Sequence, residues 1–74
     1  MGPQSDAENE VTVNGERRTF AAGTTLLDVI RSLELEPARV AVELNREIIR
    51  RDLWASAVIE TGAGIEIVQF VGGG

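Results

Sequence analysis

The sequence predicts an α+β domain in which a mixed sheet of four to five strands packs on one helix. Hydrophobic and polar residues alternate in several short runs, a pattern typical of strands that bury one face. Only one segment repeats its apolar residues at spacings of three and four, as a helix does. A chain of 74 residues is short enough to form a single compact domain.

The first predicted element is a β-hairpin. Residues 11–13 alternate apolar and polar side chains and precede Asn14-Gly15, the dipeptide best suited to the two positive φ angles of a type I′ turn. The return strand covers residues 16–20, and Phe20 is expected to anchor it in the core.

The predicted helix begins after Thr25, because Asp28 three residues later completes a capping box. The apolar residues at 26, 29, 30 and 33 form one stripe on a helix of about three turns that should cover the sheet. Pro37 disfavours continuation, so the helix should end near Leu33 or Leu35.

The remaining segments complete the sheet. Residues 40–44 alternate as a strand that ends at the turn-prone Asn45, and Ile48-Ile49 can form a short edge strand. Residues 65–70 are apolar enough to be the central strand. This order of elements predicts the β-grasp, with a disordered leader at 1–9, the domain at 10–71 and a flexible glycine tail at 72–74.

The composition excludes several kinds of chemistry. The chain has no cysteine and no histidine, which removes thiolate and imidazole nucleophiles, bases and metal ligands, and no carboxylate run has metal-ligand spacing. A net charge of −5 disfavours nucleic-acid binding. No apolar run is long enough to span a bilayer and no signal pattern is present, so we expect a cytoplasmic protein without a membrane partner.

The most informative stretch is Gly72, Gly73 and Gly74 after the apolar Phe70 and Val71. Glycine has no Cβ, so such a tail can thread a narrow channel in a partner, and four residues extend about 13 to 14 Å. The Gly74 carboxylate could then be activated as an acyl adenylate while Phe70 and Val71 contact the partner. The alternative interpretation is that the glycines are only a frayed end.

The chain also resembles a known family, the sulfur-carrier proteins of thiamine thiazole biosynthesis (ThiS), which are ubiquitin-like. The resemblance runs from about residue 10 to 74. It rests on Gly23-Thr24-Thr25-Leu26, on residues 40–45, on Ile48-Ile49-Arg50 before Trp54, and on residues 65–68 before the run that ends in Gly72-Gly73-Gly74.

The resemblance implies a carrier that is a co-substrate and not an enzyme. Gly74 would be adenylated by an E1-like enzyme that uses ATP, converted to a thiocarboxylate with sulfur from an enzyme such as a cysteine desulfurase, and used by thiazole synthase. Gly73 and Gly74 would be the family's diglycine, and no cofactor or metal would be bound.

Other interpretations stay open. The same fold could serve molybdenum-cofactor synthesis, or modify lysines as a ubiquitin-like protein, or act as a β-grasp binding module without carrier chemistry. Arg46, Arg50 and Arg51 could grip a phosphate or an acidic partner, but interleaved acids favour a solvated surface. Trp54 could anchor an interface, although a lone tryptophan in a small domain more often packs at the edge of the core.

Overall fold

The computed structural model describes residues 8–71. Residues 1–7 of the predicted leader and the predicted tail at 72–74 lie outside this range. The elements are β1 (Glu8–Val13), β2 (Glu16–Ala21), α1 (Leu26–Ser32), a 3-10 helix (Pro37–Arg39), β3 (Val40–Leu44), β4 (Glu47–Ile48), a second 3-10 helix (Arg51–Leu53) and β5 (Gly64–Gln69).

The strands form one five-stranded mixed sheet in the order β2-β1-β5-β3-β4. β5 is parallel to β1 and antiparallel to β3, and the hairpins β1-β2 and β3-β4 are antiparallel. The mixed sheet and the central position of the last strand, which its apolar composition indicated, are confirmed. The two-residue β4 is the short edge strand expected near Ile48.

The first strand begins earlier than the sequence suggested. Glu8 and Asn9, which we assigned to the leader, are part of β1. The side chain of Asn9 donates to the carbonyl of Ile59 at 3.2 Å and accepts from the hydroxyl of Thr61 at 3.0 Å. These bonds join residues about fifty positions apart, so the local composition gave no sign of them.

The helix starts where the sequence predicts and is shorter than expected. The Thr25 hydroxyl accepts from the Asp28 N–H at 3.1 Å while the Asp28 carboxylate accepts from the Thr25 N–H at 3.0 Å, which confirms the capping box. α1 has seven residues, about two turns instead of three.

Glu34 ends the helix with a left-handed backbone, at a φ of 62°. The N–H groups of Glu34 and Leu35 donate to the carbonyls of Arg31 and Ile30, at 2.9 and 3.2 Å. These two bonds are the Schellman pattern, in which glycine usually occupies the left-handed position. The carbonyls of Arg31 and Ile30 are therefore paired, although the sequence has no glycine at the position where the helix ends.

The core lies between α1 and one face of the sheet. Its buried members are Val11, Val13, Leu26, Val29, Ile30, Val40, Val42, Trp54, Ile59, Ala63, Ile65 and Ile67. Trp54 is 2% exposed, and its indole N–H donates to the carbonyl of Ile49 at 2.8 Å, so packing is its role. Phe20 is only partly buried against this core, because β2 is an edge strand.

Candidate functional site

The central strand β5 leads directly to the predicted tail. Its pairing with β3 extends from Leu44 opposite Ile65 to Val40 opposite Gln69. The N–H of Phe70 continues this ladder with a 2.7 Å bond to the carbonyl of Arg39. The backbone at the root of the tail is therefore held by the sheet up to Phe70.

On its other side β5 is held by an asparagine side chain. β1 pairs with β5 only as far as Val13 opposite Ile65, and the chain then turns away at Asn14-Gly15. The side-chain amide of Asn14 accepts from the N–H of Ile67 at 2.7 Å and donates to the carbonyl of the same residue at 3.3 Å. The side-chain amide of Asn14 thus makes the two hydrogen bonds to Ile67 that a backbone peptide unit would make if β1 continued along β5.

A second turn residue binds the start of the same strand. Asn45, which like Asn14 has a φ of 52°, accepts from the N–H of Gly64 at 2.9 Å through its side-chain oxygen. Its backbone N–H donates to the carbonyl of Gly64 at 2.7 Å. Two asparagine turns, one after each neighbouring strand, therefore hold the strand that precedes the predicted tail.

Phe70 and Val71, the predicted partner-contact residues, are 55% and 87% exposed. Large apolar side chains left in water at the end of an ordered strand are available for contact with another protein. Gly72, Gly73 and Gly74, the residues predicted to enter the partner, lie outside the described range.

The sheet face opposite the core is partly apolar. Val68 and Phe70 lie on this face, because alternate residues along β5 point away from α1. The side chain of Val68 is 58% exposed. Ile48 of β4 is 77% exposed, and it lines a shallow groove together with Ala41 and Val68. We call this surface, Ala41, Ile48, Val68 and Phe70, the outer apolar face.

Sequence reasoning found only part of this face. It pointed to Phe70, which precedes the predicted tail, and it missed Ile48 and Ala41. β5 is apolar at consecutive positions 67 and 68, a local signal that this strand presents apolar side chains to both sides of the sheet. The contribution of Ile48 depends on the pairing of β4 with β3, which places Ile48 opposite Glu43.

The described residues offer no enclosed catalytic centre. Within residues 8–71 no charged or polar side chain is buried, and no group of three or more Cys, His, Asp or Glu side chains could hold a metal ion. Arg50 forms an exposed pair with Asp52 at 3.4 Å, consistent with a solvated arginine surface. None of the helices in the described part of the chain has the length and apolarity needed to cross a membrane.

The backbone N–H groups at the start of α1 are hydrogen-bonded within the fold. The N–H groups of Leu26 and Leu27 donate to the carbonyls of Ala57 and Trp54, at 2.9 and 3.2 Å, and Asp28 is bonded in the capping box. The amide donors that could bind an anion at a helix N-terminus are therefore used within the fold. Within residues 8–71, the features available for function are the outer apolar face and the end of β5.

A five-stranded mixed sheet on one helix, with an exposed apolar end on its central strand, defines a ubiquitin-like β-grasp domain. The fold class predicted from the sequence is thereby confirmed. The family model of the ThiS family matches residues 11–74, and the chain belongs to this family. The resemblance to the ThiS family that the sequence indicated is confirmed.

Several relatives support the assignment. The chain is 28% identical to the sulfur carrier protein ThiS of Escherichia coli strain K12 over 65 residues, covering 88% of this chain and 98% of that protein. It is 42% identical to the ThiS of Bacillus subtilis strain 168 over 50 residues, covering 68% and 76%. The crystal structure of the thiamine biosynthesis protein ThiS from Geobacter metallireducens matches 88% of this chain and 99% of that one, with a TM-score of 0.75 and 29% identity.

A longer relative matches as well. The thiazole synthase of Paramagnetospirillum magneticum is 37% identical over 65 residues, which cover 88% of this chain. The chain spans only 20% of the length of that protein. A region similar to this chain therefore exists inside a larger polypeptide named for thiazole synthesis.

Proposed function

We propose that this protein carries sulfur as a thiocarboxylate on Gly74, in the synthesis of the thiazole of thiamine. The Gly74 carboxylate attacks the α-phosphate of ATP on an E1-like partner, releasing pyrophosphate and leaving an acyl adenylate. The terminal sulfur of a persulfide on a donor enzyme, such as a cysteine desulfurase, attacks the acyl carbon and expels AMP with one carboxylate oxygen, which leaves an acyl disulfide between the carrier and the donor. A thiol of a partner enzyme then attacks the donor-side sulfur of this S–S bond, which releases the Gly74 thiocarboxylate and leaves a disulfide on the partners. The carrier is then a co-substrate and catalyses no step itself.

Membership of the ThiS family is the observation that carries this proposal. The distribution of reactive groups agrees with it, because a chain without cysteine or histidine depends on partners for the nucleophile and the base. The anchored end of β5 agrees as well, since the sheet holds the backbone of Phe70 while the side chains of Phe70 and Val71 stay exposed for contact with a partner.

Thiazole synthase is the proposed acceptor of the sulfur. Support comes from the thiazole synthase of Paramagnetospirillum magneticum, which contains a region similar to 88% of this chain. A carrier and its acceptor within one polypeptide meet at high effective concentration without forming a new contact. A cytoplasmic location, where ATP is available to the activating partner, is part of the same proposal.

The test is mass spectrometry of the intact protein after incubation with MgATP, the activating enzyme and a sulfur source. We expect one oxygen at Gly74 to be replaced by sulfur, and deletion of Gly74 to abolish the change. A thiocarboxylate that forms without Gly74, or sulfur found at any other residue, would refute the proposal. Gly74 joined to a lysine of another protein would instead select the modifier function.

Glycine-to-alanine variants test the threading step. Gly73→Ala adds a Cβ to the tail and should slow activation by about tenfold or more, since small displacements of a reacting group are costly. Gly64→Ala is the matched control, because its Cβ would meet only the Thr12 hydroxyl at 3.8 Å, an ordinary contact. Equal rates for the two variants would contradict a narrow channel around the tail.

A further inference from the structure

The turn between β1 and β2 contains a chemically reactive pair of residues, Asn14 and Gly15. The side chain of an asparagine can react with the backbone nitrogen of the next residue, and glycine favours this reaction because it has no Cβ to hinder the approach. Of the three asparagines in the sequence, only Asn14 is followed by glycine. Both residues of the pair are exposed, so the water that completes the reaction reaches them.

The backbone nitrogen of Gly15 is the nucleophile of this pair. Asn14 and Gly15 both have left-handed backbones, with φ angles of 52° and 85°, and they form the loop between Val13 and Glu16. No turn or loop hydrogen bond between backbone groups within residues 8–71 uses the N–H of Gly15. The nucleophile is therefore not held by the turn.

The side-chain amide of Asn14, in contrast, is held on the central strand. Its oxygen accepts from the N–H of Ile67 at 2.7 Å, and its nitrogen donates to the carbonyl of Ile67 at 3.3 Å. Closure of a ring with Gly15 removes that nitrogen and turns the side-chain carbon toward the turn, so both hydrogen bonds must break. The contacts that support the strand therefore oppose the reaction.

We propose that Asn14 is a site of spontaneous deamidation, that its hydrogen bonds to Ile67 limit the rate, and that the products no longer hold the central strand. The reaction takes place in molecules whose β1-β2 turn has opened away from β5, a local fluctuation of the folded chain. Its co-reactant is water, and it needs no enzyme.

The modification proceeds through a cyclic imide. The Gly15 nitrogen gives its proton to solvent base and bonds to the side-chain carbon of Asn14, which closes a succinimide ring. The bond from this carbon to the side-chain nitrogen breaks, and that nitrogen takes up a proton and leaves as ammonia. Water then opens the ring at either of its carbonyl groups and gives aspartate or isoaspartate, so no group is oxidised or reduced.

Both products lose a contact with β5. Aspartate has an oxygen in place of the N–H that donates to the Ile67 carbonyl. Isoaspartate also adds a carbon atom to the main chain, which the tight loop between the paired Val13 and Glu16 does not accommodate. Direct pairing of β1 with β5 ends at Val13 opposite Ile65, and the Asn14 side chain extends the attachment to Ile67. Deamidation therefore weakens the hold on the strand that precedes the predicted tail.

Asn45 provides an internal comparison. It has the same φ of 52° as Asn14 and is also exposed, and its side chain likewise bonds to β5, where it accepts from the N–H of Gly64 at 2.9 Å. The residue that follows it is Arg46, whose side chain hinders its own backbone nitrogen. Asn45 should therefore stay largely unmodified under conditions in which Asn14 reacts.

The test is peptide mapping by mass spectrometry after the full chain has been incubated in mildly alkaline buffer, with and without guanidinium chloride. We expect conversion at Asn14 to exceed conversion at Asn45 by about tenfold or more. Unfolding the chain in guanidinium chloride should accelerate the reaction of Asn14 by about tenfold, because the folded chain must first break two hydrogen bonds. Electron-transfer fragmentation distinguishes the aspartate product from isoaspartate.

Gly15→Asn is the matched variant. Asparagine tolerates a left-handed backbone, and a Cβ at position 15 would meet no atom within 4 Å, so the turn should be retained. The added side chain hinders the nitrogen of residue 15, and conversion of Asn14 should fall by about tenfold in the folded and the unfolded chain. The comparison in guanidinium chloride holds even if the variant folds poorly, because both chains are then unfolded.

Three results would overturn the proposal. Equal conversion of Asn14 and Asn45, or an Asn14 that stays intact in guanidinium chloride, would show that the pair is not reactive. Equal rates for Asn14 in the folded and unfolded chain would show that the bonds to Ile67 do not limit the reaction. The deamidated protein, separated on anion exchange by its extra negative charge, should melt several degrees below the natural chain. An unchanged melting temperature would show that the products still hold the strand.

Discussion

The bond between Asn14 and the central strand can be tested with a single-atom change, Asn14→Asp. The substitution keeps the side-chain shape, the left-handed backbone preference and the oxygen that accepts from the N–H of Ile67 at 2.7 Å. It replaces the amide N–H that donates to the Ile67 carbonyl at 3.3 Å with a second oxygen. Two oxygens then face each other where a hydrogen bond was.

The expected loss of stability is about 2 kcal/mol at pH 7. Roughly 1 kcal/mol is the hydrogen bond itself, and about 1 kcal/mol more comes from leaving the partly buried carbonyl without its donor and opposite a carboxylate. For a domain of this size the melting temperature should fall by about 8 to 16 °C. Urea unfolding followed by the fluorescence of Trp54, the only tryptophan, measures the loss directly because this side chain is 2% exposed when folded.

Asn45→Asp is the matched control. Asn45 has the same φ of 52° and also accepts from a backbone N–H of β5, but its side chain donates no hydrogen bond in the described structure. A carboxylate keeps that bond, so stability should change by less than about 0.5 kcal/mol. Equal losses in the two variants, or no loss in Asn14→Asp, would show that the donated bond does not hold the strand.

Three further substitutions, followed by chemical and thermal unfolding, test the end of the helix, its N-terminal cap and the hydrogen bond of the buried tryptophan. Glu34→Gly should stabilise the chain by about 0.5 to 1 kcal/mol, because glycine tolerates the φ of 62° at the end of the helix; a loss would argue against the left-handed helix end. Thr25→Ala should cost about 1 kcal/mol through the lost capping box, and an unchanged midpoint would contradict that role. Trp54→Phe should cost about 2 kcal/mol by removing the 2.8 Å bond to the Ile49 carbonyl and leaving a small cavity, so a neutral result would mean that the core repacks freely.

Features that depend on a few neighbouring residues were readable from the sequence. The Asn14-Gly15 turn has both φ angles positive, at 52° and 85°, as the dipeptide predicts. The capping box at Thr25 and the strand Val40–Leu44 also lie where the local pattern placed them. In each case the information is contained within a window of two to five residues.

The candidate site was only partly predictable. Phe70 and Val71 were recognised because they precede the glycines, and their exposure agrees with that expectation. That Glu43 and Glu66 face each other across β3 and β5 was not predicted, because these residues are twenty-three positions apart and meet only through the register of the two strands. The proposed roles of Gly72, Gly73 and Gly74 concern residues outside the described range and stay predictions.

By itself the sequence determined the order of the strands and the α-helix, the turn and cap chemistry, the absence of cysteine and histidine, and the resemblance to sulfur carriers. Only the tertiary structure decided that Asn14 binds Ile67, fifty-three residues away, and that Ile48 joins Val68 on one exposed face. The physical reason is that backbone propensities act between neighbours in the chain. Strand register and the pairing of surface charges are settled only when distant segments pack on a common core.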